Sequence, residues 1–422
     1  MFSIRQVIEA LCAYEATHDT GRYVVNGWPV WPFVRIHAAG SKVYAQIEKA
    51  ADVSQSTEPA RHYFPDRLNV ARTAAAACVD SVRSPVVPCD VLFLSNSSRR
   101  QYYRGRAIQY ICDPLADEFA KRGVACSTWQ AGLPVSGAYR EEIPLRNRLH
   151  FLMWKARKTR AGSWIPPEEP EWFREFQVFM QDNLEFQPDW GEYARAISNI
   201  TIMSRVMERW LNQARPKLVC VDCWYGWAPL AAVIAARRMD IRVCDIQHGI
   251  QEFGHYAYHG WKEAYCSMPD SYWVWGERAA GLIKGGPGDF AVLQGGNLWL
   301  NMWRSNSSAF VREERDRVRK IVAGRRSTLV TLANPTRVFL ERAFRLSKRC
   351  RKTGSSFSGC ILPRRPRIGR TRQMRSKKPV SRTYFSGKER ICRFTLSSRK
   401  PTFTSPLILL ARMKLLPLKN LQ

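Results

Sequence analysis

KLVCVDCWYGWAPLAAVIAARRMDIRVCDI, residues 217–246, sets two short apolar runs on either side of an Ala-rich segment. The runs at 217–222 and 241–246 are near-continuously apolar and too short for helices, so they read as strands. Between them, 226–238 carries apolar residues on every side and reads as a helix. A strand, a helix apolar all round and a second strand make a βαβ unit, and strands without polar alternation belong to a parallel sheet covered on both faces.

The alternation continues outward. Toward the N-terminus, Asp90-Val-Leu-Phe-Leu-Ser95 reads as a strand, SNSSRRQYYRGR (95–106) as a loop, the segment from Asp113-Pro114 as a helix, and GVACSTWQ (123–130) as a strand. Apolar residues at helical spacing over 168–185 (Phe173, Phe176, Phe179, Met180) and 190–213 (Ile197, Ile200, Met203, Val206) predict two helices on a common core. In the first ninety residues only 3–17 gives a clear amphipathic pattern. Toward the C-terminus come a strand at 271–275, a helix from Glu277, a strand from Phe290 and the turn Gly295-Gly296-Asn297. A charged helix at 311–322 leads to RRSTLVTLANP, which reads as the first strand of another domain. The expected class is α/β, doubly wound.

A chain of 422 residues with 45% hydrophobic and 12% aromatic content can bury a sizeable core. Its formal net charge of +30 would ordinarily point to nucleic acid or an anionic membrane. The charge is concentrated, however: residues 346–422 hold 21 of the 66 Lys and Arg residues but a single acid, Glu389, of the 36. That tail lacks the heptads, zinc ligands and aromatic motifs of a specific nucleic-acid reader. The N-terminus shows no secretory pattern, and no run of about 18 apolar residues suggests a spanning helix. The twelve cysteines are scattered, as in a reducing compartment. Cys220 and Cys223 have metal-pair spacing but fall in a strand, where residues three apart face opposite ways, so no metal is expected.

Ligands of open α/β sheets bind beyond the carboxyl ends of the strands. Gln247-His248-Gly249 follows directly on the strand at 241–246. An imidazole in a glycine turn is suited to accept a proton from an attacking hydroxyl. Asp222, Trp224 and Tyr225 end the neighbouring strand, and His255, Tyr258, His259 and Trp261 follow in the same loop. His248 is thus the candidate base, with Asp222 orienting it, and Gln247, Gly249, His255, Tyr258 and Trp224 the candidate substrate contacts. A lone histidine in a turn is otherwise a hydrogen-bonded structural residue.

QHGIQEFGHYAYHGW (247–261), PDSYWVWGERAAGLIK (269–284) and VLQGGNLWL (292–300) together resemble the ordered motifs of bacterial surface-polysaccharide glycosyltransferases of the two-Rossmann-domain (GT-B) type. These include polysialyltransferase-like capsule proteins and the glycerophosphotransferases of teichoic acid synthesis. The resemblance covers about residues 90–335. It implies transfer of a sugar from a nucleotide-sugar donor, without a separate cofactor, to a glycan or lipid-linked acceptor. It also implies a cytoplasmic enzyme, peripheral on the inner membrane face. His248 matches the family's acceptor base, and Gly296 and Asn297 match its donor-contacting Gly-Asn pair. Leu298 stands where the family has proline. The implied plan is an acceptor-side Rossmann-like domain at 1–265, a connector at 266–310, the start of a donor-side domain at 311–345, and a disordered basic tail at 346–422. A sugar-nucleotide 2-epimerase of the same architecture and a non-enzymatic basic protein binding nucleic acid or membrane are the alternatives.

The tail reads as out-of-frame translation. Joining each codon's third base to the first two of the next permits MPEDWFFFLRLHP across Cys350 to Pro363, with only His or Tyr possible where Cys360 meets Ile361. Met413 followed by Lys414 forces a Glu in that frame, within a segment similar to the family's donor-phosphate helix. A second domain lost to a frameshift near 340–350 is therefore expected, leaving a truncated chain without the donor-side nucleotide site.

Overall fold

The computed structural model describes residues 2–50, 67–95, 99–103, 105–132, 135–158, 167–249, 251, 255–284, 290–306, 308–322, 328–330 and 409–411. The chain forms two compact units, Met1–Ser305 and Asn306–Gln422.

The first unit is built on a seven-stranded sheet. Its strands are β1 (Val91–Ser95), β2 (Cys126–Gln130), β3 (Ile143–Pro144), β4 (Leu218–Val221), β5 (Arg242–Ile246), β6 (Ser271–Val274) and β7 (Ala291–Gln294). The spatial order is β7-β6-β5-β4-β1-β2-β3, and every pairing is parallel. The order therefore reverses between β1 and β4, and the crevice at their carboxyl ends is the topological switch point.

Alternation along β1 shows why both faces are apolar. Val91 and Phe93 pack with Cys220 of β4, Cys244 of β5 and Leu115 of helix α4 (Cys112–Lys121), whereas Leu92 and Leu94 join the larger cluster on the opposite face. That cluster takes in Ile197, Ile200 and Met203 of α7 (Trp190–Ala214) and the Ala-rich face of α8 (Trp227–Arg238). Residues i and i+2 share a face, so each strand serves two cores. A fully buried side chain such as Phe93 stabilises the fold by roughly 1.5–3 kcal/mol. The expected mixed α/β, parallel architecture is what the structure has.

Three expectations change. The stretch read as a loop at 95–106 contains an antiparallel hairpin, Arg100–Tyr103 with Arg106–Gln109, closed beside Gly105 at φ 78°. The poorly patterned N-terminus holds α2 (Trp31–Ala50) and α3 (Arg67–Arg83) besides the expected α1 (Ile4–Thr17). The first ten positions of α2 are buried on nearly every side, so no polar face marks the helical period. α5 (Arg146–Lys158) is likewise additional, while α6 (Glu171–Leu184) and α7 lie where the spacing placed them.

The segment read as a connector, 266–310, supplies β6, β7, α9 (Glu277–Lys284) and α10 (Leu298–Ser305) to the first unit. In the second unit, α11 (Ala309–Val322) precedes a short strand, Thr328–Val330, paired antiparallel with Leu409–Ala411. Of the tail expected to be disordered, 346–422, all but those three residues lies outside the described residues. Among the described residues, no helix is long and apolar enough to cross a membrane.

Candidate active site at the switch point

β4 ends at Val221, and Asp222 follows, wholly buried. Its Oδ2 accepts from Gln109 Nε2 at 2.9 Å and lies 3.5 Å from Arg99 Nε, while Oδ1 has no hydrogen-bond partner among the described residues. Burial pushes this carboxyl up to about 7 against the pull of Arg99 and then of Gln109. Gln109 also receives the backbone N–H groups of Ile111 and Cys112 on its Oε1, which fixes it at the start of α4.

Cys223 takes φ 72°, a left-handed conformation rare for a residue with a side chain. The turn swings the Trp224 N–H onto Asp245 Oδ1 at 3.0 Å. Cys220 stays buried on β4, so the two thiols belong to different local structures. Among the described residues, no group of three or more His, Cys, Asp or Glu side chains is placed to hold a metal ion.

Asp245, the fourth residue of β5, is the second buried carboxyl. Its Oδ2 accepts from the Tyr258 hydroxyl at 2.8 Å. Burial raises it to about 8, opposed first by that hydroxyl and then by the Trp224 N–H. The same Tyr258 hydroxyl stands 3.5 Å from Nδ1 of His248, and the Tyr225 hydroxyl stands 3.4 Å from Nε2. Both separations are at the long limit of a hydrogen bond.

His248 is half-buried at the carboxyl end of β5. Burial, then the Arg99 guanidinium, then His255 lower its imidazole to about 3, so the ring is neutral at pH 7. Arg99 Nη1 donates to the His248 carbonyl at 3.0 Å. Asp222 makes no hydrogen bond to His248 among the described residues; Arg99 joins the two. Asp245, through Tyr258, is the carboxyl that reaches the ring.

The other expected contacts separate into two groups. His255 is half-buried, its ring 5.9 Å from that of Tyr225 and 4.8 Å from that of Tyr258. Trp224 is fully buried, its ring 6.0 Å from that of Tyr225 and edge-on to it. Gln247 is occupied within the fold: its Nε2 donates to the Gly249 carbonyl at 2.9 Å and its Oε1 accepts from the Trp275 N–H at 2.6 Å. A Cβ at Gly249 would meet nothing within 4 Å, so packing does not require glycine there.

Gly296 and Asn297 line a cleft of about 300 Å³ with Tyr110, Gln247 and Trp275. Gly296 has φ 77° and its carbonyl accepts from Trp273 Nε1 at 2.9 Å; Asn297 Oδ1 accepts from the Leu300 N–H at the start of α10. These bonds give the Gly-Asn pair a turn-forming role. Gly295 is required sterically, because a Cβ would fall 1.8 Å from the Trp273 ring.

The loop bearing His255 and Tyr258 is pinned from α2. Arg35, fully buried, donates to the carbonyls of Tyr256, His259 and Gly260 at 3.0–3.1 Å and lies 4.0 Å from the Trp261 ring centre. Its partner Glu15 lies 3.1 Å away and also accepts from Trp31 Nε1 at 2.6 Å.

Sequence reasoning missed Arg99, Gln109, Asp245 and Arg35. Asp245 carried a signal: an acid inside the otherwise apolar run IRVCDI is anomalous unless it has a partner. No family model, no curated protein and no solved structure matches the chain.

Proposed function

We propose that the chain is a glycosyltransferase of GT-B ancestry that moves a sugar from a nucleotide-sugar donor to a bacterial surface glycan or its lipid-linked precursor. The observation that carries this reading is a neutral, half-buried imidazole at the rim of a parallel sheet, between two tyrosine hydroxyls and beside a half-buried arginine. The motif resemblance across 247–300 supplies the reaction class, since fold alone does not.

In this mechanism Nδ1–H of His248 donates to the Tyr258 oxygen, whose own hydroxyl donates to Asp245, leaving the Nε2 lone pair for the acceptor hydroxyl. The acceptor oxygen bonds to the anomeric carbon as its proton passes to Nε2. The bond from that carbon to the donor phosphate breaks, and the nucleoside diphosphate leaves with the electron pair. An imidazole held near 3 is a weak base, and its depressing causes are burial, then the Arg99 charge, then His255. Donor phosphates pairing with Arg99 would offset its charge and raise the imidazole's basicity at the moment of need. Asp222 acts at one remove, by fixing Arg99.

On this reading the enzyme works in the cytoplasm, peripherally at the inner membrane face, and binds no specific nucleic acid. The second domain implied by the resemblance normally supplies the nucleotide site, and a frameshift near 340–350 accounts for its missing motifs. Sequencing the gene around codon 345 tests that part: the adjacent frame must encode the RLHP and SS...EA segments. The activity is tested by incubating the chain, and a version restored to the adjacent frame, with a panel of nucleotide sugars and oligosaccharide acceptors. Acceptor-dependent nucleoside diphosphate release by the restored chain, abolished by His248→Ala, supports transfer. Turnover unaffected by His248→Ala contradicts it, and epimerised donor without acceptor favours the 2-epimerase.

A further inference from the structure

A second cavity of about 300 Å³ opens beside the imidazole, on the face of the sheet opposite α4. Phe33 and His37 of α2 form one wall; Trp224, Tyr225, Trp227 and Leu230 form the other. Trp227, the first residue of α8, is 48% exposed while the helix behind it is buried from Leu230 to Ala236. Tyr225 belongs to both places: its ring walls the cavity, and its hydroxyl stands 3.4 Å from His248 Nε2. The two ring centres are 6.1 Å apart, so a ligand seated against Tyr225 lies next to the candidate base.

The lining selects the chemistry. It carries no Asp, Glu, Lys or Arg, and its two titratable groups are neutral at pH 7, since burial lowers His37 and raises Tyr225. An anionic sugar would enter without a counter-charge, at a desolvation cost. The cavity is small and open on one side, whereas a polyprenyl chain needs a longer groove. Flat aromatic walls with a few polar atoms at the rim suit a ring with one apolar C–H face and hydroxyls around its edge.

We propose that this cavity is the acceptor subsite, binding a neutral pyranose whose apolar face lies on Trp227 and Tyr225 and whose hydroxyl is presented to His248. The assignment as acceptor subsite rests on the glycosyl-transfer reading, but binding is measurable without donor or turnover.

The test uses the full chain and three probes: methyl β-lactoside, 3′-sialyllactose and a short prenyl phosphate, followed by saturation-transfer NMR and tryptophan fluorescence. The lactoside is expected to bind, and the two anionic probes about tenfold or more weakly, a difference of about 1.4 kcal/mol. Trp227→Ala should weaken lactoside binding about tenfold, Trp227→Phe should retain most of it, and Val178→Ala, an exposed site on α6, should leave it unchanged. The idea is overturned if no neutral glycoside binds, if Trp227→Ala binds as the parent does, or if the sialylated or prenyl probe binds best. Saccharide binding with no transfer by any restored chain would remove the enzymatic reading and leave a saccharide site. Transfer that survives Trp227→Ala with unchanged acceptor KM would remove the subsite and leave the enzyme.

Discussion

The Tyr258 hydroxyl donates to Asp245 Oδ2 across 2.8 Å, and both residues are buried at the carboxyl edge of β5. The tyrosine is thereby fixed with its oxygen turned to His248 Nδ1, and the carboxyl gains one of the few donors within reach. Tyr258→Phe removes the hydroxyl and keeps the ring. Leaving a buried acceptor unpaired costs about 1–3 kcal/mol, so urea unfolding should show a loss of that size. In a restored, active chain kcat should fall with acceptor KM little changed. A Tyr258→Phe variant as stable as the parent would show that Asp245 does not depend on this bond.

The same carboxyl makes stability depend on pH. Asp245 is raised to about 8 in the folded chain, against about 3.9 when unfolded. Its contribution is therefore complete below about pH 4 and is lost as pH rises through 8, because the unfolded chain releases the proton first. His248 has the opposite sign: lowered to about 3, it favours the fold fully above about pH 6.5 and loses that contribution as pH falls. From pH 6.5 to 8 the histidine term is constant and the carboxyl term remains, with Asp222, raised to about 7, adding to it. Urea midpoints should fall across this window, and Asp245→Asn should flatten the fall. An equal slope in parent and variant would count against a raised Asp245.

Arg35 and Glu15 form a buried pair that ties α1 and α2 to the loop carrying the candidate site. Removing one member leaves the other charge uncompensated, at about 3–5 kcal/mol. Arg35→Met should therefore destabilise strongly. Combining it with Glu15→Gln should recover part of the loss, because the uncompensated carboxylate is gone. The three loop carbonyls lose the guanidinium in both, so amide exchange over 255–261 should stay fast in the double variant. Slow exchange there would mean that the loop is held by its own packing.

The parallel sheet was legible because its strands are short, apolar and separated by helix-length segments; β4, α8 and β5 differ from the expected spans by a residue or so at their ends. The rim position of His248 followed from that alternation. Its partners did not, because they come from chain segments far apart: Arg99 and Gln109 lie on or beside a hairpin whose alternation is hidden among polar residues, and Arg35 lies in the first ten residues of α2, buried on nearly every side. Asp222 was visible as a strand-end acid, but its separation from the ring depends on the turn at Cys223, which spacing does not encode.

Arg99 offers a direct check on the electrostatics of the site. Its guanidinium repels a proton from His248 and stabilises the charged form of Asp222, so one substitution should move both groups in the same direction for opposite reasons. Arg99→Met removes the charge and keeps an apolar stem. The imidazole should then titrate higher than its folded value of about 3, because a depressing cause is gone, while burial and His255 still hold it below the ordinary range. The Asp222 carboxyl should also rise above about 7, having lost its main counter-charge. Carbon and nitrogen NMR of labelled histidine and aspartate follows both titrations in one sample. If His248 titrates unchanged while Asp222 rises, the arginine serves the carboxyl alone, and donor pairing with Arg99 is not the means by which the imidazole regains its basicity.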